Sequence, residues 1–289
     1  MLQALVDGLL QGAVLSLAAA GFSLVFGVMH VLNLTHGVIV LIGAYLALLL
    51  WRTCGVDPLL TIPLVAAILF ALGYAYQRLL LQRAIQRASL MSTLIVTLGV
   101  ALALRNILTL VFSPDVQAIR PSYAATHFAI HGVIVDLPHL LAFAASLVLL
   151  GVLALVLDRT PLGRMIRATA QQPLAARLCG IDVEHVFGLT FGLAAAFAGA
   201  AGVIVGMLFP FTPTTEAYWT LYAFVVVVLG GAGSPAGALL GGLLLGLVSS
   251  FTVRLIGPAF PNAMVFVVLV LMLLVRPNGL LGNAFGASR

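Results

Sequence analysis

The chain has 289 residues, of which 63% are hydrophobic and 7% are charged, and its formal net charge is +5. A soluble domain carries roughly 25% charged residues, so this composition excludes a soluble globular protein and predicts an integral membrane protein. The positive charge does not indicate a nucleic-acid partner, because the basic residues are scattered over short loops without interleaved aromatic residues. Membrane lipid is the expected environment.

Nine apolar segments follow one another along the chain. They cover residues 5–28, 33–50, 58–81, 89–112, 137–157, 186–209, 218–229, 238–255 and 262–281. A crossing of the bilayer core takes about 20 helical residues, and strand-like alternation is absent from the sequence. We therefore expect an all-α, polytopic membrane protein with about eight to nine membrane segments, some broken or re-entrant, in one transmembrane domain over residues 1–289. The segment 218–229 is too short to cross and is predicted to be a half-helix that turns inside the membrane.

The arginines of two short loops predict the orientation. One loop is flanked by Arg78, Arg83 and Arg87, and a loop two spans later contains Arg159, Arg164, Arg167 and Arg177. Cytoplasmic loops are rich in arginine, so both loops should be cytoplasmic, with the N-terminus outside and the C-terminus inside. Trp51 and Trp219 then fall at outer helix ends, and Arg105 lies near the outer end of the fourth segment, where its side chain can reach the interface.

The absence of lysine excludes some chemistry, because all 13 basic side chains are arginine. A Walker A loop needs its lysine to contact the nucleotide phosphates, so this chain cannot hold a standard ATP site, and lysine Schiff-base chemistry is excluded as well. Cys54 and Cys179 fall on opposite faces of the membrane and cannot form a disulfide. We expect no cofactor and no metal site in this chain.

Two polar or glycine-rich breaks interrupt the apolar segments, at residues 33–37 and 230–237. Irregular backbone at membrane depth is tolerated only where it is buried in protein or lines a water-filled cavity, so both breaks are candidates for a solute path. The candidate residues are Asn33, Thr35, His36, Gly37, Gly230, Gly231, Gly233 and Ser234. The alternatives are that Asn33 is only a helix cap, that His36 is only a hydrogen-bonded core histidine, and that the glycines form only a tight turn.

Small residues recur every four positions in the later segments: Gly188, Gly192, Ala196 and Ala200, Gly202 with Gly206, and Gly237 with Gly241. This spacing puts small side chains on one face of a helix and lets two helix backbones approach closely. It indicates helix packing rather than chemistry.

Residues 158–185 contain seven charged residues, whereas the flanking segments are apolar. The sequence predicts a short helix over residues 161–170 and a second short helix that begins at Pro173, with Gln172 as its cap, and ends before Gly180. Asp182 and Glu184 then begin the sixth segment, where negative charge suits the helix dipole. A solvated basic loop is the alternative, but alanines and leucines at helical spacing favour a surface that docks onto another protein.

These residues carry a resemblance to a known family. The run over residues 160–164, then Arg167, Ala168, Ala175, Ala176 and residues 180–182, resembles the cytoplasmic coupling segment of the permease subunits of branched-chain amino acid ABC importers. Residues 33–37, the glycine-rich run over 229–242, and the C-terminal motif with Pro277 and Gly282 are also similar to that family. This chain departs from the family at Thr35, where alanine is usual, and at Gln172 and Leu174, where an acidic residue is common.

The resemblance implies a multi-pass permease of the bacterial inner membrane that takes its solute from an extracytoplasmic binding protein. Two separate ATPase subunits would hydrolyse ATP, and a second permease, a different chain, would complete the assembly. It implies ATPase coupling by residues in the segment 158–185: Gly163, Arg164, Arg167, Ala168, Ala175, Ala176 and Gly180. The solute could be leucine, isoleucine or valine, or amides, urea or other amino acids.

The sequence disfavours two other classes of function. A facilitator or secondary transporter would work without ATP, but proton coupling usually needs ionisable residues within the spans, and only Asp7 and Arg105 lie inside the predicted apolar segments, both near segment ends. An enzyme is disfavoured because no catalytic constellation falls at membrane depth in the sequence, and His127 with His131 is a weak basis for a metal site.

Overall fold

The computed structural model describes residues 1–86, 90–130, 132–276 and 278–281. Arg87, His131, Pro277 and Gly282, which entered the predictions above, lie outside the described residues. The helices are α1 (Leu2–Met29), α2 (His36–Cys54), α3 (Pro58–Tyr76), α4 (Gln82–Gln86), α5 (Leu90–Phe112), α6 (Leu137–Arg159), α7 (Pro161–Gln171), α8 (Pro173–Leu178), α9 (Val183–Leu208), α10 (Glu216–Gly230), α11 (Pro235–Leu255) and α12 (Pro261–Val275). A π-helical turn, Gln77–Leu81, joins α3 to α4.

Within the described ranges, seven helices are long and apolar enough to cross a membrane: α1, α2, α3 with its continuation to Ile85, α5, α6, α9 and α11. This confirms the predicted polytopic, helical membrane protein. α10 and α12 have 15 residues each. At about 1.5 Å per residue each is about 22 Å long, which is shorter than the ~30 Å bilayer core.

The connection between α5 and α6 contains a small β-hairpin. β1 (His127–Ile130) pairs with β2 (Val133–Asp136) in antiparallel fashion. The first turn of α1 holds it, because Gln3 Nε2 donates to Ile134 O at 2.8 Å and Ile134 N donates to Gln3 Oε1 at 2.9 Å. We call this end of the helix bundle the hairpin end.

α1 lies at the centre of the bundle and packs against α6, α9, α10 and α11. Glycines allow the close contacts: a Cβ atom on Gly12 would lie 2.8 Å from the Cα atom of Leu243 on α11. On α9, a Cβ atom on Gly202 would lie 1.9 Å from the carbonyl oxygen of Val40 on α2. The small residues at four-residue spacing therefore bring helices together, as predicted.

Candidate functional site

The first break, residues 33–37, is buried inside the bundle. Asn33, Thr35 and His36 are each almost fully covered. The Asn33 side chain accepts hydrogen bonds from the backbone and the hydroxyl of Thr35, the residue that precedes α2. Asn33 therefore shapes the turn before the helix, and its side-chain oxygen is satisfied within the protein.

The position of His36 shows how deep this break lies. His36 Nε2 lies 2.6 Å from the carbonyl oxygen of Ala18. Because a carbonyl can only accept, Nε2 carries the proton. Ala18 lies 16 residues after Leu2 and 11 residues before Met29 on α1, or about 24 Å and about 16 Å at 1.5 Å per residue. After α1 ends, the chain returns along it, and α2 begins near the middle of a bilayer core that is about 30 Å thick.

α10 begins at the same depth as α2. Gly37 N donates to Thr220 Oγ1 at 2.9 Å, and a Cβ atom on Gly37 would lie 1.9 Å from the carbonyl oxygen of Glu216. Two helix N-termini therefore meet inside the bundle. Each carries a partial positive charge from its helix dipole, which makes this point polar although the surrounding helices are apolar.

Glu216, the first residue of α10, is a buried charge that the sequence analysis missed. Its side chain accepts a hydrogen bond from Arg105 Nη1 on α5 at 3.2 Å through Oε1. Glu216 is 6% exposed, and its Oε2 has no hydrogen-bond partner among the described residues. The sequence predicts that the Arg105 side chain reaches toward the interface, and the structure pairs it with this carboxylate. The seventh apolar segment of the sequence begins at residue 218, two residues after Glu216.

Two cavities flank the point where α2 and α10 begin. One, of about 440 Å³, lies between α2, α3, α5 and α9 and is lined by Thr35, Ile39, Tyr76 and Leu104. The other, of about 400 Å³, lies between α1, α5 and α10 and is lined by Phe22, Leu102, Glu216, Thr220 and Phe224. Of the first break, Thr35 lines the first cavity and Leu34 lines the second, whereas His36 bonds to Ala18 O and packs edge-on against Phe22.

The glycine-rich break, residues 230–237, is a tight turn packed between α1 and the C-terminal segment. Gly233 N donates to Ser23 Oγ at 3.0 Å, and Leu280 N donates to Leu229 O at 2.8 Å. Ser234 Oγ caps α11 by accepting from Gly237 N, and Gly230 lies too close to Gly237 O to carry a side chain. The geometry fits the tight-turn alternative, and a role in the solute path stays a prediction for Gly230, Gly231, Gly233 and Ser234.

Adjacent α1 residues hold the two breaks in place. Phe22 contacts the His36 ring, and Ser23 binds Gly233. A movement of α1 along its axis would therefore displace both breaks together.

The charged segment 158–185 forms the two predicted helices, α7 and α8, at the end of the bundle away from the hairpin. Thr160 Oγ1 caps α7 by accepting from Gly163 N at 3.1 Å. Gly180, with φ +85°, follows α8, and Ile181 N donates to Ala176 O, which closes the helix end. Gly163 has no room for a side chain because a Cβ atom would lie 2.0 Å from Leu157 O.

The predicted coupling residues divide into a buried and an exposed set. Gly163 and Ala176 are buried, and Arg167 turns back to α6, where it contacts Leu157 O and lies 3.5 Å from Asp158. Arg167 is therefore engaged within this chain, and its role in ATPase coupling stays a prediction. The exposed predicted residues are Arg164, Ala175 and Gly180, and Ala168 is half-buried. Leu174, Arg177 and Leu178, which were not predicted as coupling residues, are exposed beside them.

The start of α9 is stabilised by charge. Asp182 Oδ1 accepts from His185 N at 3.0 Å. This hydrogen bond, together with the nearby charge of Arg78, holds the pKa of the Asp182 carboxyl below its ordinary value. The carboxylate is thus kept ionised at the positive end of the helix dipole.

The comparisons with known proteins agree with this architecture. The family model described as "Branched-chain amino acid transport system / permease component" matches residues 4–276. The chain belongs to this family. It is 33% identical to the permease protein BraD of Pseudomonas aeruginosa, over 98% of this chain and 96% of that protein. It is 28% identical to the permease protein LivH of Escherichia coli, again over 98% and 96%.

A second type of permease matches over a shorter region. LivM of Escherichia coli is 34% identical over 43% of this chain and 29% of that protein. No solved structure matches the chain significantly. Family membership confirms the predicted resemblance and the prediction of a multi-pass transport permease rather than an enzyme.

Proposed function

We propose that this chain is the permease subunit of an ABC importer that passes branched-chain or related amino acids from an extracytoplasmic binding protein to the cytoplasm. Two separate ATPase subunits would drive transport of the solute across the bacterial inner membrane. The N-terminus of the chain would lie outside, and α7 and α8 would lie inside. The alternative, a facilitator that works without ATP, is not favoured by the family to which the chain belongs.

The observation that carries this proposal is the packing of α7 onto the spans together with the exposed apolar side chains of α8. α7 packs on α1, α6 and α9, and Arg167 binds it to the end of α6. On α8, Leu174 is 66% exposed and Leu178 is 83% exposed. An exposed apolar pair beside Arg164 and Arg177 suits a protein contact, and the firm attachment of α7 suits the transmission of a domain movement to the spans.

A second permease of different sequence would complete the membrane part. Two proteins of Escherichia coli that match this chain, LivH and LivM, are both named as permease proteins of a high-affinity branched-chain amino acid transport system. Co-expression of this chain with two different tags tests the point. We expect affinity purification to recover a different permease and no second copy of this chain; recovery of both tags together would contradict the heteromeric assembly.

Reconstitution tests the function. The chain would be placed in liposomes with its partner permease, the ATPases and the binding protein, and uptake of radiolabelled leucine would be measured. We expect uptake to require ATP and to stop when a hydrolysis-deficient ATPase replaces the active one. Uptake at an unchanged rate without ATPase subunits would refute the importer and favour a facilitator.

A further inference from the structure

We propose that Glu216 and Arg105 bind the two charged ends of the transported amino acid. Glu216 would take the α-ammonium group, Arg105 would take the α-carboxylate group, and the aliphatic side chain would occupy the cavity beside them. This inference rests on the function proposed above and assigns the residues that recognise the solute.

The first argument is the depth of the ion pair. The Glu216 backbone contacts Gly37, at the start of α2, and that start lies at the level of Ala18 on α1. A charge at that depth is costly to the protein, and ionisable residues inside membrane spans therefore tend to mark solute or ion pathways.

The second argument is the incomplete bonding of both charged groups. Oε1 of Glu216 accepts one hydrogen bond from Arg105, and Oε2 is buried with no partner in the described part of the chain. A buried carboxylate oxygen without a donor is unfavourable, and a second cationic donor would satisfy it. Arg105 is 34% exposed at its side chain, and a guanidinium has five N–H donors for a carboxylate.

The third argument is the shape and polarity of the cavity beside the pair. Its volume is about 400 Å³, within the range of about 300–1,000 Å³ that small-molecule sites occupy. Apart from Glu216 and Thr220, its walls are apolar, with Leu102, Leu221 and Phe224 facing the same space. Glu216 lines this chamber, and Arg105 contacts Glu216 from α5 without lining the chamber itself. A pair of opposite charges beside an apolar chamber matches a zwitterion with an aliphatic side chain.

A purely structural role of the ion pair explains only part of its geometry. Glu216 at the first position of α10 suits the helix dipole, and Arg105 neutralises it. That role accounts for Oε1, but it leaves Oε2 unpaired. Because Oε2 is covered in this conformation, the solute would gain access when α10 moves relative to α5, as alternating access requires.

The test compares the wild-type chain with a doubly neutral variant in the complete reconstituted importer. The variant carries Glu216→Gln together with Arg105→Gln, so that no unpaired charge is left in the membrane. Asp7→Asn with Arg254→Gln is the matched control, since it removes one charge of each sign at exposed sites on α1 and α11. Leucine uptake and the ATP hydrolysis stimulated by loaded binding protein are measured on the same vesicles.

We expect the doubly neutral variant to keep stimulated ATP hydrolysis within twofold of wild type and to lose at least tenfold in leucine uptake, while the control changes neither. Wild-type uptake by the doubly neutral variant would overturn this inference alone. Failure of the wild-type importer to carry any branched-chain amino acid would overturn the proposed function, and this inference with it.

A second variant leaves the ion pair intact and tests the chamber. Leu102→Phe narrows the cavity from the α5 side, where Leu102 is partly exposed. Since a hydrophobic pocket discriminates about 10- to 200-fold per methylene at best, we expect the ratio of leucine to valine uptake to fall at least threefold. An unchanged ratio, with both solutes still carried, would place the aliphatic side chain elsewhere and count against the site.

Discussion

The contact between the starts of α2 and α10 makes Gly37 the most sensitive small residue of the first break. In Gly37→Ala, the new Cβ atom would lie 1.9 Å from Glu216 O, 2.5 Å from Thr220 Oγ1 and 2.8 Å from Thr220 N. Two of these three atoms belong to the backbone, so no side-chain rotation relieves the overlap. The two helix starts would have to separate by roughly 1 Å, and overpacking of this kind costs about 1–3 kcal/mol.

The same separation weakens the hydrogen bond from Gly37 N to Thr220 Oγ1, which adds about 0.5–1.5 kcal/mol. We expect the melting temperature of the purified complex to fall by several degrees, and leucine uptake by more than tenfold, because both helix N-termini would be displaced from the cavities. Gly151→Ala on α6 is the control, since its Cβ atom would meet nothing within 4 Å. If Gly37→Ala matched the control in both stability and uptake, the proposed contact between α2 and α10 would be refuted.

Further predictions concern the charged segment and its ends. Arg164→Glu should abolish stimulated ATP hydrolysis without a change in melting temperature, because Arg164 is exposed. Arg167→Glu should also lower the melting temperature, because the new carboxylate repels Asp158. Equal melting temperatures of the two variants would contradict this expectation. Leu178→Glu should weaken ATPase binding at least tenfold in a pull-down titration, and unaltered affinity would remove α8 from the contact. Asp182→Ala should cost about 1 kcal/mol of stability as a lost helix cap, and Asp182→Asn less. Because folding lowers the pKa of Asp182, the stability that its carboxylate contributes is present above the ordinary pKa of about 3.9 and is lost as the pH falls below it. The melting temperature of Asp182→Asn should therefore depend less on pH in acid than that of the wild type.

Much of the fold could be predicted because its signals are local. Apolar runs predicted the long helices, and Pro161, Pro173 and Gly180 predicted both short helices of the charged segment almost to the residue. Helix boundaries of this kind depend on neighbouring residues only, through capping and backbone conformation. The same holds for the small residues that bring helices together.

The candidate site was harder to predict from the sequence than the fold, because it depends on contacts between distant parts of the chain. The depth at which α2 begins follows from the bond between His36 and Ala18, which no local pattern indicates. Arg105 and Glu216 are 111 residues apart in sequence. Glu216 also marks the limit of the apolar run that defines the seventh segment. A boundary chosen by hydrophobicity therefore leaves this charged residue outside the segment. The available signal was an acidic residue two positions before a short apolar run.

The central position of α1 has a consequence for how the protein is made. α1 is synthesised before the other described helices, an apolar 18-residue window of it is 94% buried, and its glycines 8 and 12 contact residues 242–247 of α11. Until nearly the whole chain has been synthesised, that glycine face has only lipid or the insertion machinery for a neighbour. Long-range contacts of this kind form late, so chains truncated before α11 should be inserted but remain open to proteolysis and quality control.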